Sequence, residues 1–192
     1  MVQTATNLLS LADYLAIDDP DRRCEVENGV IRYMPPESEL NRRIAVQLLI
    51  YFSQLGIAPE RLTMKTEIIV TSDLVTARAP DFMILSEELA IALQGASSSI
   101  VTHDLPRPDL AVEIVSPGKE NRDRDYRYKR SEYATCRIPE YWIVDPERGC
   151  VLVLEWVDGF YEVTEFSGEA NIVSPRFGAL DLRVDRVITA QS

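Results

Sequence analysis

Apolar positions along the 192-residue chain follow two periods, and the places where the period changes mark the elements. Leu8, Leu11, Tyr14 and Leu15 fall at helical spacing, which predicts a helix over residues 7–16, with Ser10 placed to cap a shorter one. The acidic, proline-containing run at 18–21 breaks the chain. CEVENGVIRYMPP reads as a hairpin, with strands at 23–27 and 30–34 and a turn at Asn28-Gly29. ESELNRRIAVQLLIYFSQLG puts Leu40, Ile44, Leu48 and Tyr51 or Phe52 on one helical face, and Gly56 supplies the stop.

Strand-like patterns then dominate. RLTMKTEIIVT reads as one strand, residues 74–77 as a turn, and RAPDFMILS as a second strand. Residues 86–95 read as a short helix or loop, and GASSSIVTHDLP as a flexible surface loop. DLAVEIVS is a nearly unbroken apolar run between Pro108 and Pro117, the pattern of a strand buried on both faces. A helix over 121–135 follows, then a buried strand in RIPEYWIVDP. CVLVLEWVDGFYEVTEF reads as a hairpin turning at Asp158-Gly159, and RFGALDLRVDRVI comes last. No repeat, low-complexity tract or linker interrupts this order, so a single domain over 1–192 is expected. Its class is α/β or α+β, a mixed sheet with helices on its faces.

Glu113 breaks the apolar pattern from inside the DLAVEIVS run. A charge in a buried strand is costly unless it is paired or coordinates a cation. Composition narrows the options. At 46% hydrophobic and 27% charged, the chain has the balance of an ordinary globular protein. No apolar run reaches the ~20 residues needed to cross a bilayer, and the N-terminus lacks signal-peptide features, so a cytoplasmic protein with no membrane partner is expected. Three widely spaced cysteines and one histidine argue against a zinc site and a disulfide framework.

The net charge of -11 counts against binding to nucleic acid through bulk positive charge. It does not exclude a nuclease, whose metal site needs clustered carboxylates. The segment 119–130 holds six of the 20 lysines and arginines: Lys119, Arg122, Arg124, Arg127, Lys129 and Arg130. This is either a solvated helix face laced with ion pairs or part of a face that meets phosphate.

A second acid, Asp81, follows Pro80 at the head of the apolar run FMIL. If the strands bearing Asp81 and Glu113 lie side by side, their carboxylates converge and raise one another's pKa unless a divalent cation lies between them. Hard oxygen donors on a rigid sheet suit Mg²⁺ or Mn²⁺, which can polarise a phosphoryl oxygen and acidify a bound water. Position 115, two residues after Glu113, is valine, so a cation must come from elsewhere. Asp125, Lys129 and Tyr133 recur at i, i+4 and i+8 on one helix face, and the long lysine stem can reach such a pocket.

Together RAPDFMIL, RPDLAVEIVSP, the D-x3-K-x3-Y spacing and IPEYWIVDP strongly resemble the Uma2 family of endonucleases, abundant in cyanobacteria and of the PD-(D/E)XK superfamily. The resemblance runs from about Leu11 to Ile188. It implies a restriction-endonuclease-like mixed β-sheet core flanked by helices, with extra N-terminal and C-terminal β-hairpins. It implies Asp81 and Glu113 as metal-binding acids, the Ile114 carbonyl as a further ligand, and Lys129 as the displaced lysine of the motif. CEVENGV matches a family segment that makes Glu25 an auxiliary acid. Relatives carry histidine at the start of the following helix, where this chain has Asn41.

The expected function is Mg²⁺- or Mn²⁺-dependent hydrolysis of phosphodiester bonds in nucleic acid, with DNA the expected substrate. A homodimer would supply the two sites that cutting both strands needs, although the sequence itself marks none. Two alternatives stand beside it. One is a non-catalytic binding or regulatory module that retains the fold. The other is a structural ion-pair network joining the acids to Arg107 or Arg127. Asp109 reads as a strand-end cap, Ser116-Pro117 as a strand terminator, His103 as an exposed loop residue, and Tyr133, Tyr141 and Trp142 as packing residues.

Overall fold

The computed structural model of the chain describes residues 8–17, 24–33, 36–64, 66–71, 73–96 and 98–191. The expected break at 18–21 and residues 7, 23 and 34, at the edges of predicted elements, lie outside them. Helix α1 (Leu11–Leu15) starts at Ser10, whose side chain forms a reciprocal capping box with Asp13. Strands β1 (Cys24–Glu27) and β2 (Val30–Tyr33) pair antiparallel across Asn28-Gly29, both with positive φ.

Gly29 is fixed by more than its turn. Its amide donates to Val75 and its carbonyl accepts from Leu9. An added Cβ would lie 2.9 Å from the Leu9 nitrogen. Gly29→Ala is therefore expected to destabilise the protein by about 2 kcal/mol, read as a fall in Tm of roughly 4–8 °C by calorimetry.

Helix α2 (Glu39–Gln54), capped by Ser38, is followed by a 3₁₀ turn (Pro59–Arg61) and strands β3 (Leu62–Thr63), β4 (Glu67–Thr71), β5 (Thr76–Arg78) and β6 (Phe82–Leu85). Helix α3 (Glu87–Ala92), β7 (Ile100–Val101) and β8 (Pro108–Ile114) come next. Helix α4 (Lys119–Asp123) runs into a π-helical segment (Arg124–Lys129) and then α5 (Arg130–Thr135). Strands β9 (Glu140–Asp145), β10 (Cys150–Val157), β11 (Phe160–Ser167), β12 (Asn171–Ser174) and β13 (Gly178–Arg183) precede α6 (Val184–Thr189).

Among the described residues the strands form a six-stranded sheet, β11-β10-β9-β8-β6-β3, a five-stranded sheet, β2-β1-β5-β4-β7, and the β12-β13 pair. The β8–β9 and β4–β7 pairs are parallel and the rest antiparallel. Layering of the larger sheet follows from side-chain alternation. Leu110, Val112 and Ile114 of β8 pack with Ile44, Leu48 and Phe52 of α2, while Ala111 and Val115 pack with Tyr133 and Tyr141. No helix among the described residues is long and apolar enough to cross a membrane.

The structure corrects four local expectations. The stretch 61–71 is two strands in different sheets, with a corner where the buried Thr66 hydroxyl bonds those of Thr63 and Ser99. The stretch 78–86 is likewise divided. Thr76 already lies in β5, and Pro80, which has no N–H to offer a ladder, separates β5 from β6. The loop expected over 95–106 contains β7, because Val101 buries fully in the core. The helix expected over 121–135 starts at Lys119 and carries a π-turn at its centre.

Candidate active site

Because β6 runs antiparallel to β8, with Phe82 opposite Val112, the start of β6 and the end of β8 share one edge. Asp81 stands just before β6 and turns its carboxylate into that edge. Its Oδ2 accepts the Ile114 amide at 2.6 Å, so a side chain supplies the partner that β6, whose pairing with β8 ends at Phe82, does not. Glu113 points to the opposite face from Ile114, toward the helix of residues 119–135. There its Oε2 accepts from Lys129 Nζ at 2.8 Å and its Oε1 from the Tyr133 hydroxyl at 2.7 Å.

The second face of the Lys129 ammonium meets Glu25 of β1, 2.9 Å away, and Asp125 lies 3.8 Å from it. Glu113 and Lys129 are each only 2% exposed, whereas Asp81 is half-buried and forms the open side of the cluster. Arg78 of β5 links the cluster to α5. It donates to Glu25 at 3.1 Å and, through two nitrogens, to Glu132 of α5 at 2.8 Å each.

The pKa pattern reflects this crowding. Burial pushes the Asp81 carboxyl up to about 7, against the pull of Lys129 and the Ile114 amide. Burial also raises Glu113; Lys129 opposes the shift, while Asp81, Asp125 and Glu25 add to it. Glu25 goes the other way. Burial would raise it, but Lys129 and Arg78 together hold it down to about 2. Lys129 loses hydration by burial, and the charges of Glu113, Glu25 and Asp125 more than restore its affinity for the proton.

All five expected site residues, Glu25, Asp81, Glu113, Ile114 and Lys129, therefore meet in one cluster. Arg107 and Arg127 do not join it. Arg107 donates to the carbonyls of Thr102 and His103, and Arg127 is exposed. The buried arginine is Arg78, which sequence reasoning missed, along with Glu132, Asp125 as a contact of Lys129, and the hydroxyl role of Tyr133. A usable signal was there: Arg78 is a charge in a short strand directly before Ala79-Pro80-Asp81. Asp109 lies at the other end of β8, paired with Arg61 and Arg176. Asn41 is buried and donates through Nδ2 to the Ile114 carbonyl at 2.9 Å and to Ser116 Oγ at 3.2 Å.

The donor set suits a divalent cation. Glu25, Glu27, Asp81, Glu113, Asp125 and Glu132 outnumber Lys129, Arg78 and Arg124 in a largely dry pocket. Among the described residues no cation lies within ion-pair distance of Asp81. No three acid, histidine or cysteine side chains among them form a ready-made cage either. Two carboxylates and a carbonyl, completed by water, are what magnesium commonly accepts.

Comparison with known proteins bears on the family and the fold. Residues 11–185 match the model of the Uma2 family, described as "Putative restriction endonuclease". The chain is also similar to a crystal structure from Anabaena variabilis ATCC 29413, described as "a putative nuclease belonging to DUF820". The TM-score is 0.73 at 17% identity, over 95% of this chain and 98% of that one. That likeness is one of fold: mixed sheets flanked by helices. No curated protein matches the chain.

Proposed function

The chain belongs to the Uma2 family, and from that premise we propose that it is a metal-dependent endonuclease that hydrolyses phosphodiester bonds, with DNA as its substrate. Asp81, Glu113 and the Ile114 carbonyl would hold Mg²⁺ or Mn²⁺. When bound, such an ion polarises a phosphoryl oxygen and lowers the pKa of its water. Lys129 supplies a fixed positive charge that orients the attacking water and stabilises the charge developing on phosphorus-bound oxygen. Glu25 stays ionised and holds Lys129 from the far side. Asp81, on the open side, is the acid a substrate meets first.

One observation carries this reading. The Lys129 ammonium lies 2.8 Å from Glu113 although 16 residues separate them, and Asp81 accepts the amide of the very next residue, Ile114. A lysine so placed does the work of the one missing at Val115.

The test is a cleavage assay on single- and double-stranded DNA and RNA, with and without Mg²⁺ or Mn²⁺, beside Asp81→Ala. Cleavage should require the ion, favour DNA and fall to background in the variant. Equal cleavage by the variant would overturn the proposal. A non-catalytic module has one observation in its favour: both Glu113 oxygens and the Ile114 carbonyl are already engaged by the protein. Under that reading, Mn²⁺ calorimetry shows no heat that depends on Asp81 and Glu113.

A further inference from the structure

Residues 124–129 form a π-helix between two α-helical stretches. Such segments are rare and usually brief, and they must be held by something outside the helix. Here the holder is visible. The Tyr141 hydroxyl, on the central strand β9, donates to the Asp125 carbonyl at 3.1 Å in the buried interior. In an ordinary α-helix that carbonyl would take the amide of Lys129 itself. In the wider turn it lines up with the amide five residues on, and the Tyr141 hydroxyl reaches it from the sheet as a further donor.

The consequence falls on Lys129. Asp125 and Lys129, at the two ends of the π-turn, are both buried and directed at the acid cluster. Tyr133, one turn on, donates to Glu113, and its ring packs edge-on against Tyr141 with centroids 5.1 Å apart. A change of register by one residue rotates a helical side chain by about 100°. That would carry either Lys129 or Tyr133 away from Glu113.

We propose that Tyr141 is a positioning residue: by holding the Asp125 carbonyl, its hydroxyl keeps the helix in the wide register that aims Lys129 at Glu113 and Glu25. The proposal takes its functional meaning from the nuclease reading, but its structural half can be tested without any cleavage.

The chain contains three lysines, Lys65, Lys119 and Lys129. ¹⁵Nζ-labelled protein should therefore show one slowly exchanging ammonium signal by NMR, assigned to Lys129 by elimination with Lys65→Arg and Lys119→Arg. Tyr141→Phe keeps the ring and removes the hydroxyl. It should speed exchange of that ammonium with water at least ~10-fold and lower kcat by about 10²-fold with KM little changed, the scale of a misplaced catalytic group. Unchanged exchange in Tyr141→Phe overturns the proposal, whatever the cleavage assay gives. Tyr141→Met, which fills the space without a hydroxyl, serves if Tyr141→Phe does not fold. It should lose the protected ammonium while remaining folded; a retained signal there equally overturns the proposal. Loss of protection in a protein that never cleaves would leave the positioning role standing and remove only the nuclease reading.

Discussion

Lys129→Met is expected to abolish cleavage and to destabilise the metal-free protein by about 3–5 kcal/mol at pH 8, the usual effect of removing one partner from a buried charge network. The ammonium is the common partner of Glu113, Glu25 and Asp125, and methionine fills its volume without its charge. Three nearly dry carboxylates are then left with only Arg78 and Arg124 as nearby cations. The loss should depend on pH. Glu25, held down to about 2 by Lys129 and Arg78, contributes stability that is present above its ordinary value of 4.5 and lost as pH falls through its folded value. Removing Lys129 removes part of that contribution at neutral pH. At pH 5, protons on Glu113 and Asp81 already relieve much of the repulsion, so the variant should lie closer to the parent. Urea denaturation at pH 5 and 8 measures both effects. A loss below ~1 kcal/mol at pH 8, the range of an exposed pair, would show that Lys129 is not the buried keystone its contacts describe.

Divalent ions should invert the pH dependence of the protein. Asp81 has its carboxyl raised from 3.8 to about 7, so the folded chain keeps a proton that the unfolded chain has lost. That contribution is complete below about pH 4 and disappears as pH rises through 7. Each pH unit in that window costs at most roughly 1.4 kcal/mol, less because Asp81 is partly open to solvent. The metal-free protein should therefore soften between pH 5 and 8. Mn²⁺ binds the carboxylate form, so it should displace the proton and stabilise the fold most where the metal-free protein is weakest. Calorimetry in buffers of different ionisation enthalpy should show proton release near pH 6 that vanishes by pH 9. Affinity that stays flat from pH 5.5 to 8 would contradict this account of Asp81.

The elements whose pattern repeats over many residues were legible in the sequence. The run through β8, the hairpin at Asp158-Gly159 and most of the apolar face of α2 stand where periodicity and turn chemistry put them, although at the start of α2 Leu40 is exposed and Asn41 is buried in its place. The chemistry was legible where it conflicted with that pattern, as with Glu113 in an apolar strand. What stayed hidden were features set by tertiary contact. Nothing local says that 61–71 and 78–86 each divide between two sheets, because a strand looks the same whichever partner it has. The π-turn has no composition of its own; it depends on a hydroxyl from β9. Arg78 left one local trace, a charge beside Ala79-Pro80-Asp81, but its role is set by Glu25, Glu27 and Glu132, which only the fold brings around it.

The same division of strands has a bearing on when the chain becomes competent. Glu25 and Arg78 belong to the five-stranded sheet, Asp81 lies at the crossing, Glu113 belongs to the six-stranded sheet, and Lys129 arrives from the helix that packs on both. No contiguous half of the polypeptide owns a complete set. A nascent chain or fragment that lacks any one of these layers cannot assemble the cluster, which forms only when the last of them docks.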